Sequence, residues 1–61
     1  MKIYKLKCGN QWIKIKRDCF HNLHHILIDD YDDATIFDEV LLEAEINLGR
    51  LDDFNYVKIE L

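Results

Sequence analysis

The residue types best suited to chemistry in this chain lie close together as Cys19, His21, His24 and His25. Thiolate sulfur and imidazole nitrogen are the usual ligands of zinc, and His21 and His25 would lie on one face of a helix. The spacing matches no standard zinc motif, however, so we expect no metal and no other cofactor. If a metal does bind and stabilise the domain, Cys19, His21 and His25 are the candidate ligands. A simpler role for the three histidines would be to sense pH through protonation of their side chains.

Catalysis by the same cluster is not expected. A cysteine nucleophile needs a base beside it in a cleft, and a domain of 61 residues hardly builds such a cleft. Paired carboxylates like those in 29–33 are common in acidic turns, and this segment lacks the glycine and the final glutamate of a calcium-binding loop. We therefore predict that the protein is not an enzyme.

Charge is sorted by position along the chain. The charged side chains of residues 1–17 are all cations, whereas residues 18–53 are acidic with Arg50 as the one cation. The net charge of −4 hides this division, which concerns partners and association rates rather than the fold. The cations of the first segment are Lys2, Lys5, Lys7, Lys14, Lys16 and Arg17.

The acidic segment supplies the favoured binding surface. In a helix over 35–48, Leu42 and Ile46 would lie one turn apart, away from the main apolar stripe. An apolar pair ringed by carboxylates is typical of an interface centre with a polar rim. The alternative is a solvated helix face on which this pair packs against the middle of the chain. The predicted partner-binding residues are Asp38, Glu39, Leu42, Glu43, Glu45 and Ile46.

The basic segment supplies a second candidate surface. One face of a hairpin formed by this segment would combine a tryptophan with several lysines, as single-stranded nucleic-acid binders do. The negative net charge and the single tryptophan make nucleic acid the less favoured partner. A solvated sheet and contact with the acidic face of a second copy are the alternatives. The candidate nucleic-acid-binding residues are Lys5, Lys7, Trp12, Lys14 and Lys16.

A β-hairpin must position the basic surface. Two alternating runs, 2–8 and 11–17, flank Gly9-Asn10, which is a two-residue turn signal with Gly9 at positive φ in a type II′ turn. We expect the apolar face that contains Ile13 to form the core. The turn predicts pairing of Cys8 with Gln11, Lys7 with Trp12, Leu6 with Ile13, Lys5 with Lys14 and Tyr4 with Ile15.

A helix must position the acidic surface. The pattern over 35–48 predicts a helix that begins with a capping box of Thr35 and Asp38. It should end before Gly49, with Arg50 close to its negative end. The predicted core stripe consists of Ile36, Phe37, Val40, Leu41, Ala44 and Leu48.

Two further segments complete the expected fold. The run 54–61 alternates between apolar and polar residues and predicts a strand that joins the hairpin. The segment 18–31 fits a helix capped by Asp18, and its part 23–28 also fits a strand. We favour the helix, which leaves 29–33 as an acidic turn.

Together these elements predict an α+β fold in one small domain, 1–61. A three-stranded sheet, made by the N-terminal hairpin and the C-terminal strand, should pack one face on one or two helices. The expected order is β-β-α-α-β, with β-β-β-α-β as the alternative. A core of this size is marginal, so a homo-oligomer or tight partner binding would support it.

No motif in the sequence indicates a function, so the functional prediction depends on the properties of the expected surface. The chain has no apolar run of bilayer length, no start typical of a signal peptide and only two cysteines. We therefore expect no membrane contact and a cytoplasmic location, in the host cytoplasm if the protein is viral. We predict an acidic inhibitor or regulator that blocks a basic surface of a protein partner, including one that binds nucleic acid. In size, acidity and lack of catalytic motifs the chain is similar in type to small host-takeover and anti-defence proteins of bacteriophages.

Overall fold

Antiparallel pairing of alternating segments builds most of this protein. The computed structural model describes residues 1–61 throughout and has an α+β fold, with a five-stranded antiparallel sheet and one α-helix. The predicted class is confirmed, but the sheet has five strands rather than three. A short 3-10 turn spans Tyr31–Asp33. The other elements are β1 (Ile3–Cys8), β2 (Gln11–Arg17), β3 (Leu23–Ile28), β4 (Phe37–Asp38), α1 (Glu39–Asn47) and β5 (Val57–Glu60).

The turn predicted at residues 9–10 forms as expected. Its glycine has a φ of +61°, which glycine adopts at no steric cost, and the pairs Cys8–Gln11 and Lys7–Trp12 follow directly. Beyond these two pairs β1 and β2 part, so the rest of the predicted register is wrong. The predicted pairs that do not form are Leu6–Ile13, Lys5–Lys14 and Tyr4–Ile15.

Residues 35–38, here called the wedge, explain why the hairpin opens. Tyr4 of β1 pairs with Phe37 on one side and with β5 on the other, so β4 shares the edge of β1 on which β2 lies. Thr35 connects the wedge to β2: its N–H donates to a β2 carbonyl oxygen over 3.3 Å. Its Oγ1 accepts the Ile15 N–H over 2.8 Å. The wedge thus supplies the hydrogen bonds that the parted strands no longer make to each other.

The favoured helix over 18–31 is wrong, and the alternative order is correct for this segment. Strand β3 pairs with β2 along its full length, in a register that runs from Trp12–Ile28 to Arg17–Leu23. This pairing satisfies the outer edge of β2, which a helix at this position would leave without partners. The two isoleucines of β3 also suit a strand better than a helix.

Helix α1 begins at Glu39, later than the predicted start at Thr35. Asp38 is the N-cap residue, and its carboxylate accepts the Leu41 N–H over 2.7 Å. Thr35 therefore belongs to the wedge and not to a capping box. The predicted end is confirmed, because Gly49 follows the helix with a φ of +73°.

The face that α1 turns to the sheet also differs from the prediction. Val40 and Leu48 of the predicted stripe are 70% and 64% exposed, whereas Leu42 and Glu45 are buried. The predicted stripe requires Phe37 to be helical, but Phe37 enters the core from a strand. With that constraint gone, α1 is rotated by about a quarter turn, at ~100° per residue.

The hydrophobic core lies where β1, β2, the wedge and α1 meet. Leu6, Ile13 and Phe37 are fully buried at its centre, and Leu42 and Leu51 complete it. Only eight of the 61 residues are buried. The core is therefore small, and single hydrogen bonds that hold its elements together matter to stability.

We expect Thr35→Val to lower the free energy of unfolding by about 1–2 kcal/mol, because the Ile15 N–H would lose its acceptor with little change in shape. Equilibrium urea unfolding measures this change. Thr35→Ser, which keeps the hydroxyl group, is the control and should lose much less. Equal losses in the two variants would show that the threonine methyl group, rather than the hydrogen bond, holds the wedge.

Candidate functional site

The lysine face of the hairpin is covered by the acidic segment of the same chain. Lys5 is buried, and its Nζ donates to the Tyr31 carbonyl oxygen over 2.6 Å. The same Nζ lies 3.7 Å from the centre of the Tyr31 ring, which gives it a cation–π contact as well. The predicted exposed position of Lys5 is wrong, because the 3-10 turn closes over it.

Two more of the candidate nucleic-acid-binding residues are engaged by the same turn. Trp12 packs edge-on against Tyr31 with 4.9 Å between ring centres, and it is only partly exposed. Lys14 forms an ion pair with Asp33 over 2.6 Å. Lys7 lies near the Trp12 ring, and Lys16 is exposed at the far end of β2. The face therefore offers neither the open stacking surface nor the row of available cations that a nucleic-acid site needs.

The one pocket of the protein lies on the other side of the sheet. It is a groove of about 320 Å³ between α1 and strands β1 and β5. Leu42 and Ile46 give it an apolar side, and Glu39 and Glu43 add carboxylates. Its complete lining, here called the groove residues, is Tyr4, Glu39, Leu42, Glu43, Ile46 and Lys58.

Four of the six predicted partner-binding residues line this groove, but not all in the predicted way. Ile46 is 44% exposed, as the prediction requires. Leu42 is only 5% exposed and belongs to the core cluster, so the predicted outward orientation of Leu42 is wrong. It contributes to the floor of the groove, while Glu39 and Glu43 remain exposed on the helix.

The other two predicted residues, Asp38 and Glu45, have structural roles. Asp38 caps α1. Glu45 is buried and accepts hydrogen bonds from His25 Nε2 over 3.1 Å and from Arg50 Nη1 over 3.2 Å. These contacts connect β3 to the end of α1, so Glu45 is not part of an acidic surface. Charged groups buried in this way need partners, and Glu45 has two.

Two of the groove residues, Tyr4 and Lys58, are not among the predicted partner-binding residues. Tyr4 belongs to the hairpin face that is predicted to form the core, and it does pack against the core cluster, but it is also half-buried at the groove, with the Lys58 Nζ 5.2 Å from its ring centre. The alternation of β5 places Lys58 and Glu60 on one face. It does not say which edge of β1 receives β5, so the sequence carries no signal that Lys58 meets α1.

The histidine cluster does not assemble into a metal site. His24 donates to Asp18 over 2.8 Å, while the neighbouring His25 lies on the opposite face of β3 and contacts Glu45. Cys19 and His21 are exposed in the turn between β2 and β3. No group of three histidine, cysteine or acidic side chains comes close enough together to hold an ion.

Asp18 organises that turn instead of capping a helix. Its carboxylate accepts the N–H groups of Phe20 and Asn22 and the His24 ring N–H. The hydrogen bond from His24, supported by that from the Asn22 N–H, lowers the pKa of Asp18 from 3.8 to about 2. His21 completes the turn with a φ of +64°.

No protein-family model matches this chain, and neither the curated proteins nor the solved structures include a significant match. The one helix lacks the length and the apolar character needed to span a bilayer. The groove and the charges around it are therefore the features that indicate a function.

We expect Leu42→Asp to unfold the domain, because a carboxylate buried in the core would lower the free energy of unfolding by about 3 kcal/mol or more. Ile46→Lys, a charge one helical turn away, should change the free energy of unfolding by less than about 1 kcal/mol. Thermal unfolding followed by circular dichroism compares the two. A folded Leu42→Asp variant would show that Leu42 is not part of the core.

We also expect Asp18 to stabilise the fold in a pH-dependent way. Its pKa in the folded state, about 2, is below the value of 3.8 expected when unfolded, so its contribution is present above pH 3.8 and is lost as pH falls towards 2. The difference in stability between the wild type and Asp18→Asn should therefore narrow over this range. Urea unfolding at a series of pH values tests this, and a difference that stays constant would contradict it.

Proposed function

We propose that this protein is a non-enzymatic binding module whose groove receives a lysine or arginine side chain from a basic partner protein. The observation that supports the proposal is the composition of the groove, which combines an apolar floor with two exposed carboxylates on α1. Binding of this kind would cover the basic surface of the partner. The protein would then act as an inhibitor or regulator of that surface, including one that contacts nucleic acid.

The size of the groove favours one side chain over a larger ligand. A volume of about 320 Å³ is at the lower end of ligand pockets, which span ~300–1,000 Å³. An inserted helix or a cofactor would need more room. A long cationic side chain fits such a space because its aliphatic stem can lie on Ile46 and Leu42 while its charged head stays near water.

The position of the carboxylates supports the same ligand. Glu39 and Glu43 are one turn apart on α1, and both line the groove. Lys58 is the one cation among the groove residues, and it lies over the Tyr4 ring. An incoming cation would therefore meet two carboxylates on the helix side, and arginine could bind them through several hydrogen bonds.

A cationic partner is expected to bind on the α1 side of the sheet, because the lysines of the hairpin lie on the opposite side. Lys5 and Lys14 are engaged by the 3-10 turn on one side of the sheet, while the groove lies on the other. A basic partner that approaches α1 therefore avoids the lysines of β1 and β2. Charge complementarity of this kind mainly raises the association rate and selects the partner.

We expect Ile46→Lys and Glu43→Lys each to weaken partner binding by about tenfold or more, which is ~1.4 kcal/mol. Immobilised wild type and variants are exposed to the same lysate, and retained proteins are identified and their kinetics measured. Glu43→Lys should act mainly by slowing association, and this effect should shrink at high salt.

Matched controls separate the groove from general acidity. Val40→Lys introduces the same charge on an exposed side of α1 that does not line the groove, and Asp53→Lys does so on the loop after α1. Both controls should bind as the wild type does. A partner that is lost equally from all four variants, or retained by all four, would contradict the proposal.

A further inference from the structure

The sheet ends in two free edges, and they differ in chemistry. Strand β3 pairs only with β2, and β5 pairs only with β1. In an antiparallel ladder every second residue of an edge strand directs its N–H and C=O groups outward. No further backbone or side-chain hydrogen bond is made by the main chain of residues 23–28, so the outer groups of β3 have no partner within the chain.

The β5 edge has protection against pairing that the β3 edge lacks. β5 is four residues long and contains Lys58 and Glu60, and charged side chains discourage association of sheet edges. β3 is six residues long, with the sequence Leu-His-His-Ile-Leu-Ile, and has no lysine, proline or acidic residue. A strand of this length and composition at an open edge is a template for pairing with another chain.

We propose that two copies of this protein associate through their β3 strands, antiparallel and about a two-fold axis centred on His25, to form one continuous sheet. A two-fold axis normal to the sheet keeps the helices of both copies on the same face. Residues that face each other must then come from the same face of β3, which restricts the register to a few choices. The register centred on His25 pairs Leu23 of each copy with Leu27 of the other.

The exposure of the leucines favours this register. Leu23 and Leu27 are 41% and 40% exposed on the same face of the strand as His25. The two-fold axis generates two equivalent Leu23–Leu27 pairs, so the interface would shield four leucine side chains from water. Cross-strand apolar pairs of this kind are what stabilise sheet association.

The ends of the strand also fit this register. In this register the turn that contains His21 in one copy lies beside Asp29, the residue that follows β3, in the other, so that no acidic residue at the strand ends faces another. Both side chains are exposed and lie just outside the strand. Because β3 itself contains no acidic residue, the net charge of −4 creates no carboxylate repulsion along the paired strands.

A second copy is a better occupant of this edge than an unrelated peptide. The strand is complementary to itself in the register above, and an isologous contact uses it twice. The monomer buries only eight of its 61 residues, and small domains of this kind commonly gain stability from association. The groove lies on the side of the sheet near β5, so association through β3 leaves it open.

Light scattering coupled to size-exclusion chromatography tests the proposal across a wide range of protein concentrations. The wild type should change from the mass of a monomer, 7.4 kDa, to that of a dimer as concentration rises. Leu27→Lys should weaken dimerisation by about tenfold or more, because it places a lysine opposite Leu23 at two positions. Val57→Lys, the same kind of change on the β5 edge, is the control and should dimerise as the wild type does.

Amide hydrogen exchange of the wild type provides a test that does not depend on a variant. Alternate amides of β3 should become protected as concentration rises, while those of β5 do not change. A wild type that stays monomeric, protection confined to β5, or a Val57→Lys variant that is monomeric would each overturn the proposal. Binding of another protein at β3 without self-association would do the same.

Discussion

The structure depends on the entry of residues 35–38 between two strands that a tight turn has just joined. β1 and β2 share only the pairs next to the turn, and the wedge replaces their remaining hydrogen bonds with its own. Because Phe37 is fixed to β1 in this way, it fills the centre of the core. The helix then begins at the first position where the chain leaves β1, with Asp38 as its cap. The start of α1 is therefore set by strand pairing and not by helix propensity.

The same insertion accounts for part of the charge division of the sequence. To reach the opened hairpin, the chain must cross the lysine face of the sheet, and it does so with its acidic stretch. Tyr31 covers Lys5 and Asp33 pairs with Lys14, so part of the positive block is matched within the monomer. Burial of Lys5 is tolerated because its ammonium group donates to the Tyr31 carbonyl oxygen and makes a cation–π contact with the Tyr31 ring. A division of charge along a chain can thus reflect internal contact as well as a partner.

Local signals in the sequence predicted local structure well. Gly9-Asn10 specified the hairpin turn, Gly49 the end of α1, and alternation the C-terminal strand, because each depends on neighbouring residues alone. The wedge could not be predicted in this way, since two strands with a good turn signal normally pair along their length. Because no local signal indicates the wedge, the predicted position of Thr35, the predicted start of α1 and the predicted direction of Leu42 are all wrong. The sequence of β3 does fit a strand, but the apolar spacing over 18–31 indicates a helix while the two isoleucines indicate a strand.

The rotation of α1 links the core to the groove. A stripe of Val40, Ala44 and Leu48 facing the sheet would bury more apolar surface, yet these residues lie in water. In the observed rotation Leu42 reaches the core and Glu45 accepts hydrogen bonds from His25 and Arg50. Such charged contacts add little net stability, but leaving one of their members unpaired is costly, so they select one rotation over its neighbours. It is this selected rotation that places Glu39, Glu43 and Ile46 beside β5 in the groove where we propose that a cationic side chain binds.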